Sequence, residues 1–171
     1  MLATVARYGE GGWQPYWRRL RANKVLVTSG WTEAYEQRFS GAAGSKGNRP
    51  IVVSYSTSPP AEVYFAGKQL TTAPTGVVLS SCFRQIEFAG MLRGAANPAG
   101  AKKLIDFFLS PRFQADVPLS MFVFPVRKGV PLPAVFTRYA PAVPRPLQLP
   151  AKTIGANRDR WIREWTSTVL R

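Results

Sequence analysis

Two short apolar runs most constrain what this chain can fold into. Lys24–Thr28 carries Val25, Leu26 and Val27 in succession, and Pro50–Tyr55 carries Ile51, Val52 and Val53. Neither run alternates apolar with polar residues, so both faces of each strand need cover. Such strands sit in the middle of a sheet and not at its edge. Helical patterns lie on either side of them, and strands that alternate with helices predict an α/β class.

The flanking patterns give the order of elements. Residues 2–22 read as helical, broken at Gly11-Gly12, with Pro15 in the first turn of a second helix and Trp13, Tyr16, Trp17 and Leu20 on one apolar face. A helix from Trp31 to Phe39 follows the first strand. Gly41–Asn48 reads as a flexible surface loop, Ser58-Pro59-Pro60 as a stop, and the Thr-, Gly- and Pro-rich stretch to Thr75 as mobile. Val77–Leu79 and Arg84–Phe88 are further predicted strands. Asn97-Pro98 and Ser110-Pro111 each place a capping side chain before a proline suited to the first helical position. Leu104, Ile105, Phe107 and Phe108 form the inner face of the helix opened by Asn97. Phe122–Val126 is expected to be extended, and the proline-rich stretch from Pro131 to Pro150 to wander over the surface. Gly155–Leu170 reads as a terminal helix with a stripe of Trp161, Ile162, Trp165 and Val169.

Composition narrows the chemistry. The chain has no His, one Cys and nine scattered Asp and Glu, which offers no His-based triad, no zinc site and no acid/base pair. No glycine-rich phosphate loop appears either. The expectation is a non-enzyme with no cofactor and no metal. Cys82, within Leu79-Ser80-Ser81-Cys82-Phe83, reads as a buried, inert thiol. The sequence shows no signal peptide and no apolar run of about 20 residues that would span a bilayer.

Charge raises a second possibility. Lys and Arg number 23, for a formal net charge of +14, and a surface this basic binds phosphate non-specifically. Apart from Arg18-Arg19-Leu20-Arg21 and pairs such as Lys102-Lys103 the cations are scattered singly, and no zinc-finger, RNP or basic-zipper pattern accompanies them. No specific nucleic-acid binding is expected. Non-specific binding stays open as an alternative that salt would test, since phosphate contacts weaken steeply as salt rises and stacking in a dry cleft does not.

The binding signal lies in Ser29-Gly30-Trp31-Thr32-Glu33-Ala34-Tyr35 and Val52-Val53-Ser54-Tyr55-Ser56-Thr57-Ser58-Pro59. An aromatic at the opening of a helix, then a strand ending in an aromatic and a run of hydroxyls, suits a cleft for a flat polar ligand. With Arg84-Gln85-Ile86-Glu87-Phe88, Phe108-Leu109-Ser110-Pro111-Arg112-Phe113-Gln114, Phe124-Pro125-Val126 and Trp161-Ile162-Arg163-Glu164-Trp165, these stretches resemble the C-terminal half of the periplasmic thiamine-binding proteins of ABC importers. The resemblance covers nearly the whole chain in order.

It implies a periplasmic-binding-protein-like type II α/β fold, of which this chain would hold the C-terminal portions of both lobes. Residues 1–54 would belong to one lobe and 55–171 to the other, with a hinge crossing near 52–60. Apolar surface that the other half would bury is expected to be left uncovered. The implied ligand is thiamine or a thiamine phosphate, the implied partner an ABC permease, and the implied location periplasmic or extracytoplasmic.

By the same resemblance the ligand-binding residues are Trp31, Tyr55, Ser56, Thr57, Ser58 and Phe122. Trp31 would stack on either ring of the vitamin, a cation over its face gaining roughly 0.5 to 2 kcal/mol. It could equally staple a strand to its helix. Tyr55 would stack or hydrogen-bond, and the hydroxyls would hold the tail, unless the run is a plain strand-ending turn. Phe122 stands where family members often have Trp, and Ala61 where they have a second aromatic, which thins one wall. Half a cleft gives up most of the affinity, so the chain by itself is expected to bind weakly or not at all. Receptors for ferric iron or polyamine are the neighbouring alternatives, but no Tyr-Tyr pair or group of cleft carboxylates supports them.

Overall fold

The computed structural model describes residues 1–67 and 70–171. Helix α1 spans Leu2–Ala22 and is interrupted at Gly9, whose φ of 66° only a glycine adopts without strain. The break therefore falls two residues before the expected Gly11-Gly12. Helix α6, Ala151–Val169, lies against α1 and buries Trp13 and Trp161 completely, with Val5, Leu149, Trp17 and Trp165 around them. Trp17 and Trp165 meet edge to face at 5.4 Å, and the Trp17 indole donates to Thr4 Oγ1 at 3.0 Å. Glu10 accepts from both Arg160 (2.8 Å) and the Trp161 indole (2.9 Å). Its hydrogen bond to Arg160 holds its carboxyl below the usual range. Ile162 is 41% exposed and leaves the expected stripe, because one residue along a helix turns the side chain by about 100°.

The expected strands are corrected. Among the described residues β pairing is confined to two isolated parallel bridges, Phe39 with Arg49 and Phe83 with Leu147. Lys24–Thr28, Pro50–Tyr55 and Arg84–Phe88 form no ladder, and Leu79–Ser81 is a short 3-10 turn. The chain by itself is thus helical, and the α/β class is not realised in it. The cause is physical: a strand apolar on both faces is stable only between neighbouring strands and under covering layers. Here Ile51, Val53 and Phe88 stand 81, 90 and 89% exposed, the uncovered apolar surface that the sequence predicts.

Two further segments are more ordered than their prolines suggest. Ser58-Pro59-Pro60 ends the extended stretch before it, as read, but a helix and not a mobile segment follows: Pro59 and Pro60 fill the first turn of α2, Ser58–Ala66, where their fixed φ suits a helix and no N–H is missed. Residues 68 and 69 of the stretch expected to be mobile lie outside the described residues. Within the proline-rich stretch, Pro133 leads into α5, Ala134–Tyr139, which is anchored by fully buried Phe136.

Helices α3 (Pro98–Phe108) and α4 (Pro111–Met121) begin as read: Asn97 Oδ1 accepts from Gly100 N at 2.8 Å, and Ser110 Oγ from Phe113 N at 3.3 Å. On α3, however, Leu104 and Phe107 are about half exposed, so that inner face is only partly covered. Cys82 is half-buried, not buried, and its burial pushes the thiol pKa up. No helix among the described residues is long and apolar enough to cross a membrane.

The chain packs as two units. One comprises Met1–Gly30, Val78–Gln85 and Val143–Arg171, built on α1 and α6; the other comprises Trp31–Val77 and Ile86–Ala142.

Candidate functional site

All six expected ligand residues fall in the second unit. The helix that Trp31 opens is wound as a π-helix over Glu33–Arg38, closed by the Phe39 N–H donating to Ala34 O at 3.1 Å. In this wider i→i+5 turn, residues four apart line up more closely than in an α-helix. Trp31, Tyr35 and Phe39 therefore form a column. Trp31 and Tyr35 stack at 4.9 Å and 11°, and Tyr35 meets Phe39 at 5.4 Å. Tyr35 and Phe39 are buried; Trp31, at the open end, is 43% exposed. An ion pair of Arg38 with Glu33 at 3.0 Å braces the turn.

A line of hydroxyls fixes the indole in place. Trp31 Nε1 donates to Ser54 Oγ at 2.9 Å, and Ser54 Oγ lies 2.7 Å from Ser58 Oγ at the start of α2. With one edge tied to Ser54 and one face on Tyr35, the indole presents its other face outward. One helical turn beyond Ser58, on the same side of α2, Glu62 accepts from the Ala43 N–H at 3.0 Å. Thr75 reaches the same turn: a Cβ on Gly41 would come within 2.9 Å of Thr75 Cγ2 and 2.6 Å of the Phe39 ring, so only glycine fits there.

Tyr35 Oη and Thr75 Oγ1 are both buried, and the phenol lies among Glu62, Ser58 and Thr75 without a well-aligned hydrogen bond. Burial, and then the nearby Glu62 charge, push the Tyr35 pKa up to about 12. The phenol is therefore neutral under ordinary conditions.

The other expected residues divide in two. Thr57 is buried and donates its hydroxyl to the Phe122 carbonyl, so that group points inward. Phe122, in the left-handed conformation that ends α4 (φ 52°), packs with Phe65 at 5.1 Å, Tyr64 at 5.7 Å and Phe136 at 6.1 Å. Tyr55 is 51% exposed and Ser56 half-buried. The structure thus joins Trp31 to Ser58 through Ser54, and separately joins Thr57 to Phe122. Tyr35, Ser54 and Glu62 were not singled out from the sequence, although the four-residue spacing of Trp31, Tyr35 and Phe39 is a readable sign of stacking.

Comparison with known proteins shows what the chain is similar to. The chain is 35% identical over 161 residues to the thiamine-binding periplasmic protein of Brucella melitensis, covering 91% of this chain and 44% of that one. It is 33% and 32% identical over 165 residues to the proteins of the same name from Salmonella typhimurium and Escherichia coli, covering 96% of this chain and 47% of each of them. No family model matches, and no solved structure does. Over nearly its whole length the chain is thus similar to thiamine-binding periplasmic proteins, of whose length it spans just under half.

Proposed function

We propose that this chain is part of the binding component of a thiamine importer, holding one wall of an interlobe cleft outside the cytoplasm and serving an ABC permease. The observation that carries the reading is the outward face of Trp31, backed by Tyr35 and held at its edge by Ser54. A ring fixed on one side and half exposed on the other needs little ordering to accept a flat ligand, and its electron-rich face favours the thiazolium. Tyr55, Ser56 and Ser58 lie along the chain beside it and would meet the pyrimidine or the hydroxyethyl tail. Thr57 and Phe122 would shape the wall from behind. In the full-length protein, runs 24–28 and 50–55 would become central strands of a two-lobed α/β fold. The lobes, 1–54 and 55–171 with a hinge near 52–60, would close on the ligand.

The test is a tryptophan-fluorescence titration of the chain with thiamine, with oxythiamine alongside. Weak but saturable quenching that disappears in Trp31→Ala is the expected result. Absence of Trp31-dependent quenching, in a chain shown folded by circular dichroism, would remove the reading for this half.

A further inference from the structure

We infer that Glu62 makes the open face of Trp31 selective for flat cations, so that Trp31, Tyr35 and Glu62 together discriminate a heteroaromatic cation from a neutral ring of the same shape. The inference deepens the stacking reading of Trp31 and rests on it, but its test does not require thiamine.

Three observations carry it. Glu62 and Ser58 share one side of α2, and Ser58 is linked through Ser54 to the indole, so the carboxylate belongs to the assembly that holds Trp31. The Ala43 N–H fixes the carboxylate, and none of the ion pairs among the described residues involves it. By contrast, Glu33 on the π-turn is paired with Arg38. Tyr35, 95% buried and uncharged, stacks on the indole and is itself close enough to feel the Glu62 charge, so the carboxylate stands beside the stacked pair in a low-dielectric setting where its field is weakly screened.

The sign of the local field matters because the chain as a whole is strongly basic, at +14. A cation approaching most of this surface is repelled. One carboxylate beside an electron-rich face, in none of the described ion pairs, reverses that sign locally. It also stands next to Ala61, where the family resemblance places an aromatic, so a charge at a distance replaces a second stacking wall.

The experiment compares two quenchers of tryptophan fluorescence, the 1-methylnicotinamide cation and neutral acrylamide, on the full chain. The Trp31 share is isolated by difference against Trp31→Phe. Expected is a fall of about two- to fivefold in Trp31 quenching by the cation in Glu62→Gln, with acrylamide quenching unchanged. Glutamine keeps an acceptor for the Ala43 N–H, so the fold is retained. Equal quenching by the cation in both proteins would overturn the inference, and so would a parallel change with both quenchers, which would mean that Glu62 only positions the indole. A second measurement needs no variant. Raising salt should lower cation quenching of Trp31 if the carboxylate dominates and raise it if the overall positive field does; a rise would overturn the inference. Failure of thiamine to quench while the cation behaves as expected would overturn the proposed ligand and leave the selectivity standing.

Discussion

Replacing Thr57 by valine separates two uses of one hydroxyl. Thr57 precedes α2, yet its side chain caps no N–H of that helix; it donates to the carbonyl of Phe122 and ties the start of α2 to the end of α4. Residue 57 is 4% exposed, and valine has nearly the same shape, so packing is kept and the hydrogen bond alone is lost. Leaving a buried acceptor unpaired costs about 1 to 3 kcal/mol. At about 2 to 4 °C per kcal/mol for a chain of this size, melting should fall by about 2 to 12 °C. Thr57→Ser, which keeps the donor, should recover most of the loss. Urea and thermal unfolding followed by far-UV circular dichroism measure both variants. A Thr57→Val stability within about 0.5 kcal/mol of the parent would refute the argument, the more so if thiamine binding fell at the same time. That pattern would mean that the hydroxyl faces the ligand, as its place in the Tyr55–Ser58 run suggests.

Two other outcomes are expected. With its pKa raised to about 12 from the ordinary 10, Tyr35 binds its proton more tightly folded than unfolded. Its contribution to stability is therefore fully present below pH 10 and is lost as pH rises toward 12; Tyr35→Phe should flatten that part of the alkaline unfolding curve, and an unchanged curve would count against the burial of the phenol. Phe136→Ala removes a fully buried ring from contact with Phe122 and Phe124 and should cost about 3 to 5 kcal/mol by chemical denaturation, whereas a cost below about 1 kcal/mol would show that α5 is not anchored there.

What was legible in the sequence follows from how local each signal is. Asn97 and Ser110 cap as read, because a cap needs only its own next three residues. The Trp13 and Trp161 faces were legible for a similar reason, each being a stripe on one long helix. The apolar runs 24–28 and 50–55 read as strands and are not, because a strand is made by its neighbours, and among the described residues no ladder forms. The helix that opens at Ser58-Pro59-Pro60 was read as a mobile segment because proline breaks a helix from inside yet suits its first turn. At the site, Trp31 stood out by type, whereas Tyr35, Ser54 and Glu62 emerge only once the π-turn and α2 meet. No periodicity marks a π-turn ahead of its hydrogen bonds.

That π-turn sets what kind of change the site can absorb. Its outer positions, Glu36 and Gln37, are exposed, so their identity is nearly free. Its length is not. Trp31 and Phe39 are held in line by a winding that accommodates one residue more per hydrogen-bonded loop than an α-helix does, so deleting a residue between Trp31 and Tyr35 would swing the indole by about 100° off Tyr35, and deleting one between Tyr35 and Phe39 would do the same to Phe39. In the drift of this sequence over generations, the stretch from Trp31 to Phe39 is a place where letters can change and spacing cannot.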